Sequence, residues 1–241
     1  MHPFVYEFLG TAILIFFGNG VVANVVLNKS KGQNSGWIVI AFGWAMAVFF
    51  GVMVSMKGSG AHLNPVVTLT MAYLGRLNWA LVPEYFAGQM LGAMAGSLLV
   101  YLSYKQHFDE TENGDAKLAC FCTHPAIRNP FYNFLTEMLA TFAFMIGVLF
   151  LASPVASMGS IEALPVAFLV LAVGLSLGGS TGYAINPARD LGPRMMHFFL
   201  PMKGKRSSDW GYAWIPVIAP IVGGLLGTWV YHVLITNYLT T

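Results

Sequence analysis

The chain has 241 residues, of which 56% are hydrophobic and only 9% are charged, and its formal net charge is +2. Soluble domains usually carry about 25% charged residues, so a shell this poor in charge would not keep so apolar a chain in solution. The composition predicts an integral membrane protein whose partner is a lipid bilayer. With no basic stripe in the sequence, we expect no nucleic acid as a partner.

Six apolar stretches are long enough to cross a bilayer as helices, which takes about 20 mainly apolar residues. They lie at 4–27, 36–56, 81–104, 131–152, 163–181 and 211–235. The first stretch has no Lys/Arg-rich start and no small-residue cleavage site, so we expect it to be a retained span rather than a signal peptide.

One long polar segment, "KQHFDETENGDAKL" at 105–118, separates the third and fourth spans. It shows no apolar period and is predicted to be a solvated loop. Cys120 and Cys122 follow it, but a zinc site needs about four ligands. We therefore expect two ordinary thiols in a loop or at the membrane edge, and no metal or cofactor.

Two further apolar pieces, 65–74 and 187–199, are too short to span. About ten residues make roughly 15 Å of helix, half a bilayer. Each follows an Asn-Pro pair, Asn64-Pro65 and Asn186-Pro187. Asn is among the best helix N-caps and Pro is favoured at the first helical position. Each pair therefore predicts a helix that begins inside the membrane, although one pair alone would equally fit a capped, buried short helix.

The sequence also repeats itself. Three pairs of segments match in the same order: "YEFLGTAILIFFG" with "TEMLATFAFMIGV", "GSGAHLNPVVTL" with "GSTGYAINPARDL", and "AGQMLGAMAG" with "APIVGGLLGT". Their offsets are 130, 122 and 131 positions. We therefore divide a single transmembrane domain, 1–241, into repeat 1 at about 1–104, a connecting loop at about 105–130, and repeat 2 at about 131–241.

Each repeat holds three spans and one half-span, so the second must enter the membrane from the opposite face. The predicted fold is an all-α membrane protein with six transmembrane helices and two re-entrant half-helices in an inverted repeat. The half-helices would meet at their N-termini, each of which carries about +0.5 of a charge. Such a junction repels cations, while the amides of Asn64 and Asn186, expected to remain free, donate to a neutral oxygen.

Irregular backbone at membrane depth is tolerated where it is packed in protein or lines a water-filled path. The residues before the two asparagines are therefore predicted to line a pore with their backbone. They are Gly60, Ala61 and His62 in the first repeat, and Gly182, Tyr183 and Ala184 in the second. A proton relay or a metal ligand is the alternative for His62, but we favour a place in the pore wall.

Glu7 and Glu137 are repeat-related carboxylates inside spans. They fit two hypotheses: proton-coupling groups of a secondary transporter, or buried acceptors that hold the irregular backbone before each half-helix. Identical placement in both repeats favours the second. Ser59 near His62 raises an intramembrane hydrolase as a third idea, but no residue completes or orients that pair.

Arg189 follows Asn186 by three positions in an apolar context. An ionised side chain at membrane depth is costly and usually faces an aqueous path. The guanidinium offers five donors in a fixed fork, which can grip two neighbouring hydroxyls of a solute. The alternative is an arginine at the membrane edge that is paired with Asp190.

The two loops "SGAHLNPVVTL" and "TGYAINPARDLGPR" resemble the paired Asn-Pro-Ala loops of the aquaporin or major intrinsic protein family. The resemblance runs from "EFLGT" to "PIVGGLLG", and Asp190 is typical of the glycerol-facilitator branch. It implies six tilted helices around one pore per subunit, a homotetramer, and passive transport without catalysis or cofactor. It also implies that Pro65, Pro187 and Asp190 support the loops.

The family's selectivity filter maps by spacing onto Trp44, Gly174, Tyr183 and Arg189. The resemblance implies that Trp44 and Tyr183 form an apolar corner, that Arg189 binds hydroxyls, and that Gly174 leaves width. A lipid-interface role is the alternative for Trp44. Tyr183 replaces a more usual phenylalanine, so its hydroxyl is expected to narrow the filter or add a polar contact.

A second departure from the family is Val66, which replaces an alanine where the half-helices meet. Its extra bulk is expected to shift or repack the junction.

The predicted function is a passive channel for glycerol, water and other small neutral solutes that excludes ions and protons. The alternatives are a channel mainly for undissociated lactic acid, or a proton-coupled transporter. The resemblance implies a plasma-membrane location with both termini cytoplasmic. That orientation places Lys57 and Arg76 inside and most other basic residues outside, against the positive-inside rule.

Overall fold

A computed structural model describes residues 2–151 and 161–235, and within those ranges the chain forms helices without a strand. The spanning helices are α1 (Pro3–Val26), α2 (Trp37–Ser59), α4 (Val82–Ser103), α7 (Pro130–Leu151), α8 (Leu164–Thr181) and α10 (Ile215–Leu234). The shorter ones are α3 (Pro65–Tyr73), α5 (Lys105–Glu110), α6 (Gly114–Ala119) and α9 (Pro187–Phe199). The six predicted spans and two half-helices are confirmed to within a few residues; position 152 lies outside the described residues.

The outer surface of the helices is apolar. Phe42, Leu102 and Trp229 expose about half or more of their surface, at 50%, 61% and 55%. Six helices are long and apolar enough to cross a membrane. An apolar exterior of this extent is unfavourable in water and favourable in lipid. The protein is therefore a multi-pass membrane protein.

Within each repeat, glycines let helix backbones touch. In repeat 1, α1 packs on α2 and α4; in repeat 2, α7 packs on α8 and α10. A Cβ on Gly92 of α4 would lie 2.4 Å from the Phe8 carbonyl oxygen, and one on Gly223 of α10 would lie 2.0 Å from the Met138 carbonyl oxygen. These two glycines match at an offset of 131, so both repeats use the same close crossing.

The half-helices tie the two repeats together. Helix α3 packs on α10, α9 packs on α4, and α2 packs on α8. Each re-entrant segment is therefore buried against the other repeat. This arrangement satisfies the rule that irregular backbone at membrane depth must be enclosed by protein.

The segment 105–118 differs from the predicted solvated loop, and that prediction was wrong. It forms α5 and α6, and Phe108 and Leu118 have no exposed surface. The Asn113 side-chain oxygen caps α6 by accepting from the Asp115 backbone N–H at 2.8 Å. The two apolar anchors stand ten residues apart and belong to different short helices, so they leave no periodic signal.

Cys120 and Cys122 are free thiols in the turn after α6, as expected of ordinary loop thiols. Both are buried in the core beside Phe121. Their polar neighbours in sequence conceal that the chain folds back onto the helix bundle at this point.

Candidate functional site

The site begins where the two half-helices meet end to end. Asn64 caps α3, and its side-chain oxygen accepts from the Val66 backbone N–H at 2.9 Å. Asn186 caps α9, and its side-chain oxygen accepts from the Ala188 and Arg189 backbone N–H groups at 3.0 and 3.2 Å. Proline occupies the first turn of both helices, as the Asn-Pro pairs predict.

The two caps also bind each other's loops. The Asn64 amide donates to the Ile185 carbonyl at 3.0 Å, and the Asn186 amide donates to the Leu63 carbonyl at 2.7 Å. The sequence predicted that both amides would remain free. Instead, each amide donates one hydrogen to the opposite loop. A side-chain amide has two hydrogens, so each asparagine keeps one donor beyond this cross-link.

The loops before the caps have an unusual backbone. Gly60 and Gly182 have φ values of 78° and 87°, and four non-glycine residues also have positive φ. Those four are Ala61, Leu63, Tyr183 and Ile185. Left-handed backbone in bulky residues is strained and persists only where the surroundings impose it.

Two buried glutamates impose that conformation. The Glu7 carboxylate accepts from the His62 and Leu63 backbone N–H groups at 3.0 and 2.7 Å. The Glu137 carboxylate accepts from the Ala184 and Ile185 backbone N–H groups at 3.0 and 3.1 Å. The two carboxylates therefore make matching contacts with the two loops.

Glu7 has two further donors. Ser59 donates its hydroxyl to the carboxylate at 2.5 Å, and Gln89 donates its amide at 2.7 Å. The His62 ring contacts the Thr68 hydroxyl at 3.1 Å. Ser59 and His62 are thus bound to separate partners, and they do not form the nucleophile-base pair that a hydrolase needs.

A cavity of about 750 Å³ runs past both caps. Its lining includes residues of the irregular loops, among them Gly60, Ala61, His62 and Ala184, together with both asparagines. The apolar side chains on the wall include Val48, Val52, Phe144, Val148 and Val170. Polar groups and apolar side chains therefore line the same cavity.

Arg189 and Trp44 line this cavity and contact each other. The guanidinium carbon lies 4.0 Å from the Trp44 ring centroid, and Arg189 is only 7% exposed. Trp44 is 4% exposed, with its ring against Gly18 of α1. The alternative of a lipid-interface tryptophan is therefore wrong.

Among the residues that the structure describes, no carboxylate forms an ion pair with Arg189. Asp190 instead binds Arg194 at 2.8 Å, and it accepts from the Thr123 backbone N–H and hydroxyl at 2.8 and 2.6 Å. The alternative of an Arg189–Asp190 pair at the membrane edge is therefore wrong. Within the described ranges the Arg189 side chain makes neither a hydrogen bond nor an ion pair, and its Nη1 atom is buried without a partner.

Tyr183 and Gly174 are in contact. A Cβ on Gly174 would lie 2.9 Å from the Tyr183 ring, so the absence of a side chain here makes room for that ring. The Tyr183 hydroxyl is buried without a partner among the described residues. Gly182 lies against Thr123, where a Cβ would meet its side chain at 3.2 Å.

Three contributors to the site were missed from the sequence. Arg194 donates to the carbonyls of Ser208 and Thr123, both at 2.8 Å, and so holds the loops that contain these two residues against α9. The sequence did contain a signal for Arg194, because its i,i+4 spacing from Asp190 favours an ion pair on one face of a helix. Gly224 faces Val66, and Trp37 packs beside Tyr183. Trp37 stands two helical turns before Trp44, on a similar face of α2.

Comparisons with known proteins agree with this geometry. Residues 1–231 match the family described as Major intrinsic protein. The chain is 53% identical, over 96% of its length and 99% of the relative's, to the probable glycerol uptake facilitator protein of Thermotoga maritima. It is 50% identical, over 95% of both chains, to glycerol uptake facilitator protein 3 of Lactiplantibacillus plantarum.

A solved structure is similar as well. The X-ray structure of the aquaglyceroporin from Plasmodium falciparum matches with a TM-score of 0.85 and 30% identity, over 98% of this chain and 96% of that one. Family match, identity and fold lead to one conclusion. The chain belongs to the major intrinsic protein family.

Proposed function

We propose that the protein is a passive channel for glycerol, water and other small neutral solutes, with Trp44, Gly174, Tyr183 and Arg189 as its selectivity filter. One observation carries the proposal. The guanidinium of Arg189 lines the cavity and donates to no described protein group. A charge this buried is costly unless it is hydrogen-bonded, so its donors are left for water and for the hydroxyls of a solute.

The proposed filter suits a polyol because it offers both hydrogen-bonding groups and apolar surface. Arg189 supplies donors in a fixed fork, and the carbonyls of the irregular loops supply acceptors along the same path. Trp44 and the valine-rich wall accept the C–H side of the solute. Glycerol carries its hydroxyls on a short hydrocarbon backbone, so both of its surfaces find a match.

Ions are excluded by the same groups. The N-termini of α3 and α9 meet at the caps, and each brings the positive end of a helix dipole. Arg189 adds a full positive charge, so cations, including protons, are repelled. Anions fail because the apolar wall does not replace their hydration shell.

Proton coupling and catalysis are disfavoured by the contacts of the carboxylates. Glu7 and Glu137 each accept backbone N–H groups that shape a loop, so protonation would release the loop rather than deliver a proton to a solute. We therefore assign Glu7, Glu137, Pro65, Pro187 and Asp190 to loop support. We infer a channel that is not an enzyme and needs no cofactor.

Stopped-flow light scattering on proteoliposomes tests the proposal. We expect glycerol flux that rises linearly with concentration and does not respond to a pH gradient. Saturable uptake accelerated by a pH gradient would instead identify a proton-coupled transporter. A panel with urea, dihydroxyacetone and lactic acid at acid pH ranks the solutes, and a lactic acid preference over glycerol would contradict the proposed substrate class.

We further propose a single domain of two repeats, a homotetramer, and a plasma-membrane orientation with both termini cytoplasmic. Glu112, exposed between α5 and α6, is a labelling position for testing orientation. Glu112→Cys should react with a membrane-impermeant maleimide on intact cells, and Lys57→Cys should not. The native thiols are buried, so they should react little with the maleimide. Labelling of Lys57→Cys but not of Glu112→Cys would show the opposite orientation.

Cross-linking in membranes tests the tetramer.

A further inference from the structure

The Tyr183 ring lacks an anchor of its own. Its hydroxyl has no hydrogen-bond partner among the described residues. Its backbone lies in the left-handed region, with φ at 39°, which an aromatic residue rarely adopts unaided. The ring must therefore be held in place by the residues that pack around it.

Two glycines of α8 form one side of that packing. A Cβ on Gly174 would lie 2.9 Å from Cζ of the Tyr183 ring, and one on Gly178 would lie 2.4 Å from Cδ1. The ring thus rests on bare helix backbone. These glycines leave a slot for the ring but offer no group that stops it from moving along the helix surface.

Trp37 limits the movement of the Tyr183 ring. Its ring centroid is 5.9 Å from that of Tyr183 at an interplanar angle of 77°, an edge-to-face contact. Its indole N–H donates to the Gly174 carbonyl at 2.9 Å, from α2 of repeat 1 to α8 of repeat 2. One side chain therefore contacts the Tyr183 ring and fixes the backbone on which that ring rests.

Within one subunit, the described residues cover the indole only in part. Trp37 is 38% exposed, and it borders a depression of the surface together with Ile40 and His124. Loss of the indole would open space beside the Tyr183 ring that leads to the exterior. The ring would then be free to swing away from the cavity and widen it.

We propose that Trp37 is a positioning residue of the selectivity filter, which sets the width available to a solute by holding the Tyr183 ring against Gly174. This inference rests on the proposed glycerol channel. It adds a residue from outside the four filter positions, in contact with two of them.

The test compares glycerol with erythritol, a longer polyol, in proteoliposomes. Trp37→Ala should raise the erythritol-to-glycerol permeability ratio by roughly tenfold, the scale of discrimination for a small change in solute size. Trp37→Phe keeps an aromatic ring but loses the donor, so its ratio should fall between those of Trp37→Ala and wild type. Trp79, 58% exposed on another helix, gives the control Trp79→Ala, which should leave the ratio unchanged.

A double variant separates positioning from mere folding. Gly174→Ala crowds the Tyr183 ring toward the cavity and should reduce glycerol permeability per folded channel. Adding Trp37→Ala gives the ring room to retreat, so the double variant should recover glycerol flux, a coupling expected only of residues in contact.

Two results would overturn the inference: an unchanged polyol ratio in folded Trp37→Ala, or a double variant as impaired as Gly174→Ala. Failure of the proposed function is distinguishable, because wild-type protein itself would then carry no glycerol.

Discussion

The two half-helices share one scaffold but differ in what they carry. Each begins at an asparagine cap, follows a left-handed loop and is held by a buried glutamate. With the offset of 122 positions, however, Arg189 corresponds to Val67 and Asp190 to Thr68. The two half-helices therefore share the same capped start, but only α9 carries charged side chains in its first turn.

The largest expected difference concerns the carboxylate of α9. Asp190→Asn leaves Arg194, which has no exposed surface, as a buried charge without a carboxylate. Breaking such a pair costs about 3–5 kcal/mol, measured as loss of thermal stability in detergent. The repeat-equivalent change Thr68→Val removes neutral hydrogen bonds to His62, Gln89 and the Asn64 carbonyl. It leaves no buried charge unpaired, so it should cost less than breaking the ion pair. Equal losses would show that the two half-helices are not held differently.

The glutamates should behave alike, since they belong to the shared scaffold. In Glu7→Gln and in Glu137→Gln, one loop N–H would face an amide NH₂ instead of an oxygen. Leaving a buried donor unsatisfied costs about 1–3 kcal/mol, so both variants should unfold at lower temperature and carry less glycerol. Full activity in one variant and loss in the other would break the symmetry of the two loops.

Val66 and Gly224 allow the two repeats to be compared where the half-helices meet. A Cβ on Gly224 would lie 2.0 Å from Val66 Cγ1, so the valine fills space that this glycine leaves open. The repeat-equivalent positions are Ala188 and Ala93. Gly224→Ala should therefore destabilise by about 1–3 kcal/mol through overpacking. Val66→Ala combined with Gly224→Ala should recover most of that loss in the same thermal assay. A double variant less stable than either single one would contradict this pairing.

The smallest effect is expected at the Tyr183 hydroxyl. It has no partner among the described residues and lies toward Gly174, so Tyr183→Phe removes a buried unsatisfied group. Stability should stay level or rise slightly, and the glycerol-to-water permeability ratio should stay near that of wild type. A large fall in that ratio would place the hydroxyl in contact with the solute.

Much of this arrangement was readable from sequence because its signals are local. Asn-Pro marks a helix start, and a run of apolar residues marks a span. Contacts between repeats were not readable. Nothing local says that Trp37 reaches Gly174 across 137 positions, or that Gly224 compensates for Val66. Phe108 and Leu118 were missed because two isolated apolar residues in a charged segment give no period.

We predict that ion exclusion and glycerol preference depend on Arg189, a charge of α9 that α3 lacks. Arg189→Val removes this charge by copying Val67 of the other repeat. The measurement is the proton and ammonium leak of proteoliposomes beside their glycerol flux, with Val67→Ala as the control. We expect the cation leak to rise by about tenfold or more, since the repulsion of a buried full charge is worth more than 1.4 kcal/mol. Glycerol should still pass, but with a lower glycerol-to-water ratio. A variant that excludes cations and prefers glycerol as well as wild type would contradict this role of Arg189.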